Sequence, residues 1–321
     1  MLIAHRIIAI QRITLLSVLA VVVVSCQGPM EISDLDLANR NDQGFFVLPF
    51  EQLPYQTSNL EASLTYSEPL DADSVELFDY MGGTYYHTVS LCNKSYVYIG
   101  TYLSTRDERA IFRARKYVDK LLDRCIDDRG ALWSPMDFDF AVHGDSSLLL
   151  RAPWYSGMAQ GELLSVCSRL FVITEDSVYL RAARKLFRSL TLTRDGDRNW
   201  VTWIDPDGYY WIEEYPHPSR PGHTLNGFIA ALFGVYDYIL VSNDPLACEV
   251  WEASLTTLKH YFNEFRQPGG RSLYCLGHRH MASVGYHRFH IEQLRTLFRM
   301  TNDSLFVEAA DVLEKDFGVT N

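Results

Sequence analysis

The chain has no surplus of positive charge. Lys and Arg number 29 against 40 Asp and Glu, a net charge of −11. Nothing therefore drives binding to a phosphate backbone, and a nucleic-acid partner is excluded. There is no Cys-x-x-Cys pair either, since Cys26, Cys92, Cys125, Cys167, Cys248 and Cys275 lie far apart. That removes the strong zinc and thioredoxin-type signals and leaves most cysteines as small apolar fillers. No Gly-rich nucleotide loop occurs, so no cofactor is implied. Disorder is excluded as well, because 47% of residues are hydrophobic and only 21% are charged. What is abundant is aromatic: 19 Tyr, 17 Phe and 6 Trp, enough to fill helix seams and to line a carbohydrate cleft.

The first 25 residues read as an address. Arg6 and Arg12 precede an apolar run over residues 13–24 that ends in Ser25-Cys26. The run is short for a bilayer span and suits the core of a signal peptide. Val23-Val24-Ser25-Cys26 resembles a bacterial lipobox, with Val where Leu is more usual. That resemblance implies cleavage before Cys26, lipidation of Cys26 and a lipid-anchored protein of the bacterial cell envelope. Loss of two Arg leaves 27 positive against 40 negative residues, a net of −13. An uncleaved N-terminal anchor is the other reading, and both place the remainder outside the cytoplasm. Residues 26–85 read as a tether and an irregular segment with a turn at Met81-Gly82-Gly83-Thr84.

Residues 86–321 carry a fourfold pattern. An apolar helix, a short polar turn and an amphipathic helix recur, with turns at Thr105-Arg106-Asp107, Thr174-Glu175-Asp176, Ser242-Asn243-Asp244 and Thr301-Asn302-Asp303. The Ser, Thr and Asp oxygens of such turns cap the free N–H groups of the following helix. Four αα-hairpins at so long a period predict a mainly α fold, an α/α toroid of about four hairpins. Residues 125–152, 191–222 and 266–285 interrupt the pattern, as functional loops at one end of a toroid would. Alternation across residues 200–215, around Asp205-Pro206-Asp207-Gly208, predicts a β-hairpin.

Three segments hold the candidate chemistry. In Trp154-Tyr155-Ser156-Gly157-Met158-Ala159-Gln160-Gly161, the two Gly fall on one helix face and allow close approach of a helix or a ligand. In Glu213-Glu214-Tyr215-Pro216, strand alternation places Glu213 and Tyr215 on one face and Glu214 on the other. The third runs from Arg271 and Tyr274 through His278, Arg279, His280, Tyr286, His287 and His290. Such a local concentration of Arg and His in an acidic chain predicts a pocket for an anion. His287 and His290 share a helix face, but no acidic partner at matching spacing supports a metal site there.

Together these segments resemble the C-terminal domain of the D-glucuronyl C5-epimerase family. The matching stretches are Trp154 to Gly161, Glu213-Glu214-Tyr215-Pro216, Leu225-Asn226-Gly227-Phe228, and Tyr286-His287 with His290. The resemblance implies an α/α toroid and C5 epimerisation of glucuronate to iduronate within a polysaccharide. It implies Glu214, Tyr215, Tyr274 and Tyr286 as catalytic residues. Trp154, Tyr155, Gln160, Asn226, Arg279, His287 and His290 would contact the sugar chain. Where the family often has Asp-Leu-Arg-His after the middle Tyr, this chain has Cys275-Leu276-Gly277-His278. The cation expected at the substrate carboxylate would then fall to Arg279 or Arg271.

Inverting C5 requires a base on one face of the ring, a proton donor on the other, and neutralisation of charge on the carboxylate. Glu214 with Tyr274 or Tyr286 is the expected flanking pair. A uronate lyase shares the first proton abstraction and is one alternative. A lipid-anchored glycan-binding protein without activity is another.

Overall fold

The computed structural model describes residues 38–61, 65 and 69–318; Cys26 and the apolar leader lie outside them. Four helical hairpins dominate, and each is closed by the turn that the sequence repeats. They are α1 (Thr88–Thr105) with α2 (Glu108–Arg124), α3 (Gly157–Thr174) with α4 (Ser177–Ser189), α5 (Leu225–Ile239) with α6 (Pro245–Phe265), and α7 (Val284–Thr301) with α8 (Ser304–Asp316).

The four turns are built alike. In each, the Asp side chain accepts a hydrogen bond from the N–H two residues on, at Arg109, Val178, Leu246 and Leu305, over 3.0–3.1 Å. The hydroxyl of Thr105, Thr174, Ser242 or Thr301 accepts from the N–H of that same Asp. Between hydroxyl and carboxylate sits a left-handed residue: Arg106, Glu175, Asn243 or Asn302, with φ between 55° and 72°. A reversal by one left-handed residue followed at once by an N-cap turns the chain antiparallel with few unsatisfied backbone groups.

The odd-numbered helices form the inner wall and pack in the order α1, α3, α5, α7. Fourteen of the fifteen residues of α5 are buried, so it is covered on every side and mostly apolar, as an inner helix must be. α3 and α5 touch backbone to backbone: a Cβ on Gly234 would lie 1.9 Å from the carbonyl oxygen of Gly161. Gly161 of the first candidate segment thus serves helix packing, whereas Gly157 lies against the Glu213 carbonyl, where a Cβ would stand 2.5 Å from the oxygen. Arg169 of α3 and Asp237 of α5 form a buried ion pair at 2.7 Å, each side chain 1% exposed.

Because the hairpins are antiparallel, every insertion between them falls at the N-terminal ends of the inner helices. β1 (Phe78–Tyr80) and β2 (Gly83–Tyr85) precede α1. β3 (Ile126–Asp128), β4 (Ala131–Trp133), β5 (Pro135–Met136), β6 (Phe140–Ala141), β7 (Leu149–Leu150) and β8 (Trp154–Tyr155) lie between α2 and α3. β9 (Thr202–Ile204) and β10 (Tyr210–Ile212) form the hairpin expected over 200–215, in register Trp211 opposite Trp203. β11 (Leu273–Cys275) pairs with β12 (His280–Met281) ahead of α7. All pair as two-stranded antiparallel sheets.

The described part of the N-terminal segment is irregular, as expected, yet it lies along the opposite end of the helices. The Phe46 N–H donates to the Met300 carbonyl, Tyr236 Oη bonds Phe46 and Leu48, and the Arg169 guanidinium donates to the Pro54 carbonyl. Among the described residues no helix is long and apolar enough to cross a membrane.

Candidate active site

At the insertion end a cavity of about 460 Å³ opens on the axis of the helices. The N-terminal turns of all four inner helices reach it, through Val89, Met158, Asn226 and Tyr286. Each helix start carries about half a positive charge and free N–H groups. The mouth of the cavity is therefore biased toward anions, with no Lys or Arg in its lining among the described residues.

Glu214 sits in this wall with 6% of its surface exposed. The strand β10 ends at Ile212, so the alternation expected across 213–215 does not hold. Glu213 turns away, with its Oε2 accepting the N–H groups of Gly222 and His223 at 3.0 Å and its Oε1 2.5 Å from His223 Nδ1. Glu214 and Tyr215 instead face the cavity together. The backbone of α5 makes room, since a Cβ on Gly227 would stand 2.2 Å from Glu214 Oε2.

The Tyr274 hydroxyl lies 3.4 Å from both carboxylate oxygens of Glu214 and 3.4 Å from the Tyr215 hydroxyl. The Tyr286 ring packs edge-on against Tyr274 at 4.8 Å. Burial pushes the Glu214 carboxyl up to about 7, the phenol contacts pull it partly back, and the neighbouring Glu213 charge raises it. Burial and then the Glu214 charge push the Tyr274 and Tyr215 phenols far above their usual range. Those two phenols are held neutral and donate; Glu214 is the group that changes protonation near neutral pH.

A second acid was missed in the sequence. Glu162, one residue past the Trp154 to Gly161 stretch, is 1% exposed and lines the same cavity. Burial, then the Glu214 charge, raises its carboxyl well above the usual range, which favours its protonated form. Its Oε2 and the Oδ1 of Asn226 have no hydrogen-bond partner among the described residues. The available signal was a carboxyl one residue past the matching stretch, in the first turns of an inner helix.

The structure separates the remaining candidates. Trp154 lines the cavity, whereas Tyr155 packs against Trp133 at 5.4 Å on the other side of β8; strand alternation admits only one of two neighbours. Gln160 is wholly buried away from the cavity. Its amide accepts from the Ser134 N–H and donates to the Leu132 carbonyl and the Ser189 hydroxyl. His287 and His290 are fully buried and both turn Nδ1 to the Ser272 hydroxyl, at 3.0 and 2.8 Å. They fix the strand that carries Tyr274 and do not reach the cavity. Arg279 is exposed, in a left-handed turn conformation, and neither it nor Arg271 lines the cavity. The expected cationic pocket is thus replaced by helix N-termini. Among the described residues one group has metal-ligand geometry: His143, Cys275 and His278.

Comparison with known proteins shows the family and the fold. A D-glucuronyl C5-epimerase of Caenorhabditis elegans is 29% identical over 204 residues, a match covering 57% of this chain and 32% of that protein. The chain thus corresponds to about a third of that relative. The cellobiose 2-epimerase of Bacillus thermoamylovorans superposes with a TM-score of 0.52 at 11% identity, covering 71% of this chain and 59% of that one. A sugar epimerase from a ruminal bacterium gives 0.52 at 12% identity, covering 72% and 59%. At such identities these two show the shared mainly α toroid alone. Residues 127–315 match the family described as D-glucuronyl C5-epimerase C-terminus, a span that holds Glu214 and its three tyrosines, and on that match the chain belongs to this family.

Proposed function

We propose that the protein epimerises D-glucuronate at C5 within a uronate-containing polysaccharide. The observation that carries this reading is a buried carboxyl, Glu214, poised near 7 and bonded to a neutral phenol in a cavity faced by four helix N-termini. The C5 hydrogen is alpha to a carboxylate. Glu214, ionised, takes that proton and becomes the neutral acid, while the electron pair passes into the sugar carboxylate. The helix starts and the neutral Glu162 and Asn226 side chains stabilise the charge that develops there. Tyr286, the more exposed phenol at 44%, donates a proton to the opposite face of C5. Exchange with solvent then restores both groups. Tyr274 and Tyr215 hold Glu214 in place and tune it.

Incubation with a glucuronate polymer in heavy water tests this. Deuterium should enter at C5 with no shortening of the chain, and Tyr286→Phe should slow its entry about a hundredfold. An unsaturated sugar end group, or binding of such polymers with neither exchange nor cleavage, overturns the proposal. The same reading includes lipidation at Cys26 and attachment to the bacterial envelope. Cys26→Ala should then release the protein into the soluble fraction, and unchanged membrane association refutes the anchor.

A further inference from the structure

Beside Tyr274 two distant segments bring a thiol and two imidazoles together. Cys275 Sγ lies 3.2 Å from His143 Nε2 and 3.6 Å from His278 Nδ1. All three ligand atoms lie within 4.8 Å of one another. His143 comes from the turn between β6 and β7, in a left-handed conformation with φ 56°. Cys275 and His278 come from the β11–β12 hairpin. Around a tetrahedral zinc-type ion, bonds of about 2.3 Å to sulfur and about 2.0–2.1 Å to nitrogen set sulfur–nitrogen edges near 3.6 Å and a nitrogen–nitrogen edge near 3.3 Å. Both sulfur–nitrogen edges are already within about 0.4 Å of that. The third, between the two nitrogens, is at most 4.8 Å and would shorten on binding.

The His278 ring is oriented for such a role. Its Nε2 lies 3.2 Å from the Arg220 carbonyl oxygen, which only accepts, so the proton resides on Nε2. Nδ1 therefore presents its lone pair to Cys275, the carbonyl–imidazole arrangement that fixes the tautomer of metal-binding histidines. Gly277 makes this contact feasible. A Cβ there would stand 2.0 Å from the Pro221 carbonyl oxygen, and the Gly277 N–H donates to the Gly222 carbonyl at 2.9 Å. The Gly277 departure from the family pattern is what lets the turn press against residues 220–222 and deliver His278. A larger residue at 277 would push the turn away.

We infer that Cys275, His143 and His278 bind one divalent transition-metal ion of the zinc class, with its fourth position open. On binding, the ion replaces the Cys275 thiol proton, which passes to solvent. The ion would tie the β11–β12 hairpin, which carries Tyr274, to the 142–144 turn. The site adjoins a smaller cavity of about 230 Å³ lined by Tyr215, Tyr274 and Tyr286.

Titration of the chelator-treated full-length protein with Co²⁺ alone is the direct test. One equivalent should bind and produce a near-ultraviolet thiolate-to-cobalt band, displaced by Zn²⁺. Cys275→Ser should abolish the band, and His143→Ala or His278→Ala should weaken binding at least about a hundredfold. Cys125→Ser, which removes another free cysteine, should leave band and affinity unchanged. A wild-type protein without the band, or a band that survives Cys275→Ser, overturns the inference. Cys275 is wholly buried and its replacement can unfold the chain. His143→Ala therefore stands as an independent arm: a folded His143→Ala protein with wild-type band and affinity also overturns it.

Discussion

At the residue scale, two carboxyls in one cavity are pushed upward by the same burial but serve different ends. Glu214 at about 7 ionises within the working range, so exchange should rise with pH through about 7. The same shift has a stability consequence. Below the ordinary carboxyl value of 4.5 Glu214 is neutral in both folded and unfolded chains and costs nothing. Between 4.5 and about 7 the unfolded chain ionises while the folded one does not, so stability falls as pH rises. Above 7 the whole penalty, about 3 kcal/mol, is in place. Glu214→Gln should therefore abolish exchange and yet be more stable than the natural chain at pH 8, with the gap closing at acid pH. Denaturant melts across that range check it, and a gap independent of pH removes Glu214 as the titrating group. In the proposed mechanism Glu162 acts as a neutral donor. Glu162→Gln keeps a donor and should stay within several-fold of full activity, whereas Glu162→Leu should lose about a hundredfold. Equal losses in both would show that Glu162 only fills space.

At the element scale, the hairpin turn is the unit most legible in the sequence, because capping is a local interaction of side chain with nearby backbone. Asp107, Asp176, Asp244 and Asp303 were identifiable as caps without any knowledge of packing, and each is one. Asp176→Ala should cost about 1 kcal/mol in a denaturation experiment. Gly234→Ala, which drives a methyl into the Gly161 backbone, should cost more, about 1–3 kcal/mol, since neither inner helix can yield alone. A Gly234→Ala protein less affected than Asp176→Ala would contradict the tight crossing of α3 and α5. The insertions were less legible, for a physical reason: their partners are remote. β5 pairs with β8, Met136 opposite Trp154, and that pairing decides that Trp154 faces the cavity while Tyr155 faces the core. Gln160, His287 and His290 belong to matching motifs, yet their hydrogen bonds to Ser134, Leu132, Ser189 and Ser272 show that they hold loops in place. A motif marks residues that a fold needs near a site; only three-dimensional packing separates those that touch the ligand.

At the scale of the whole molecule, a ring of helices leaves an axis that is open at both ends, and the N-terminal segment closes one of them. Tyr55, held in a left-handed conformation with φ 63°, inserts among Tyr96, Phe233 and Phe289 at ring distances of 5.6–5.7 Å, and its hydroxyl accepts from Gln293. Tyr55 and Phe289 line both the 460 Å³ cavity and a second cavity of about 280 Å³ behind it. Together they form the partition between the site and the far end. The residues taken from the sequence as a tether thus supply the floor of the site. Tyr55→Ala should join the two cavities and admit water from behind. Truncating a packed aromatic costs about 3–5 kcal/mol, visible in thermal melts. The more telling effect is electrostatic. Burial is the largest cause of the high Glu214 value, so a wetter cavity returns that carboxyl toward 4.5, and the rising limb of the pH profile should move to lower pH. Tyr55→Phe keeps the ring and loses only the Gln293 contact, so its pH profile should match that of the natural chain. Should Tyr55→Ala leave the limb near 7 in a folded, active protein, the N-terminal segment is a brace for the helices and not the seal that sets the Glu214 environment.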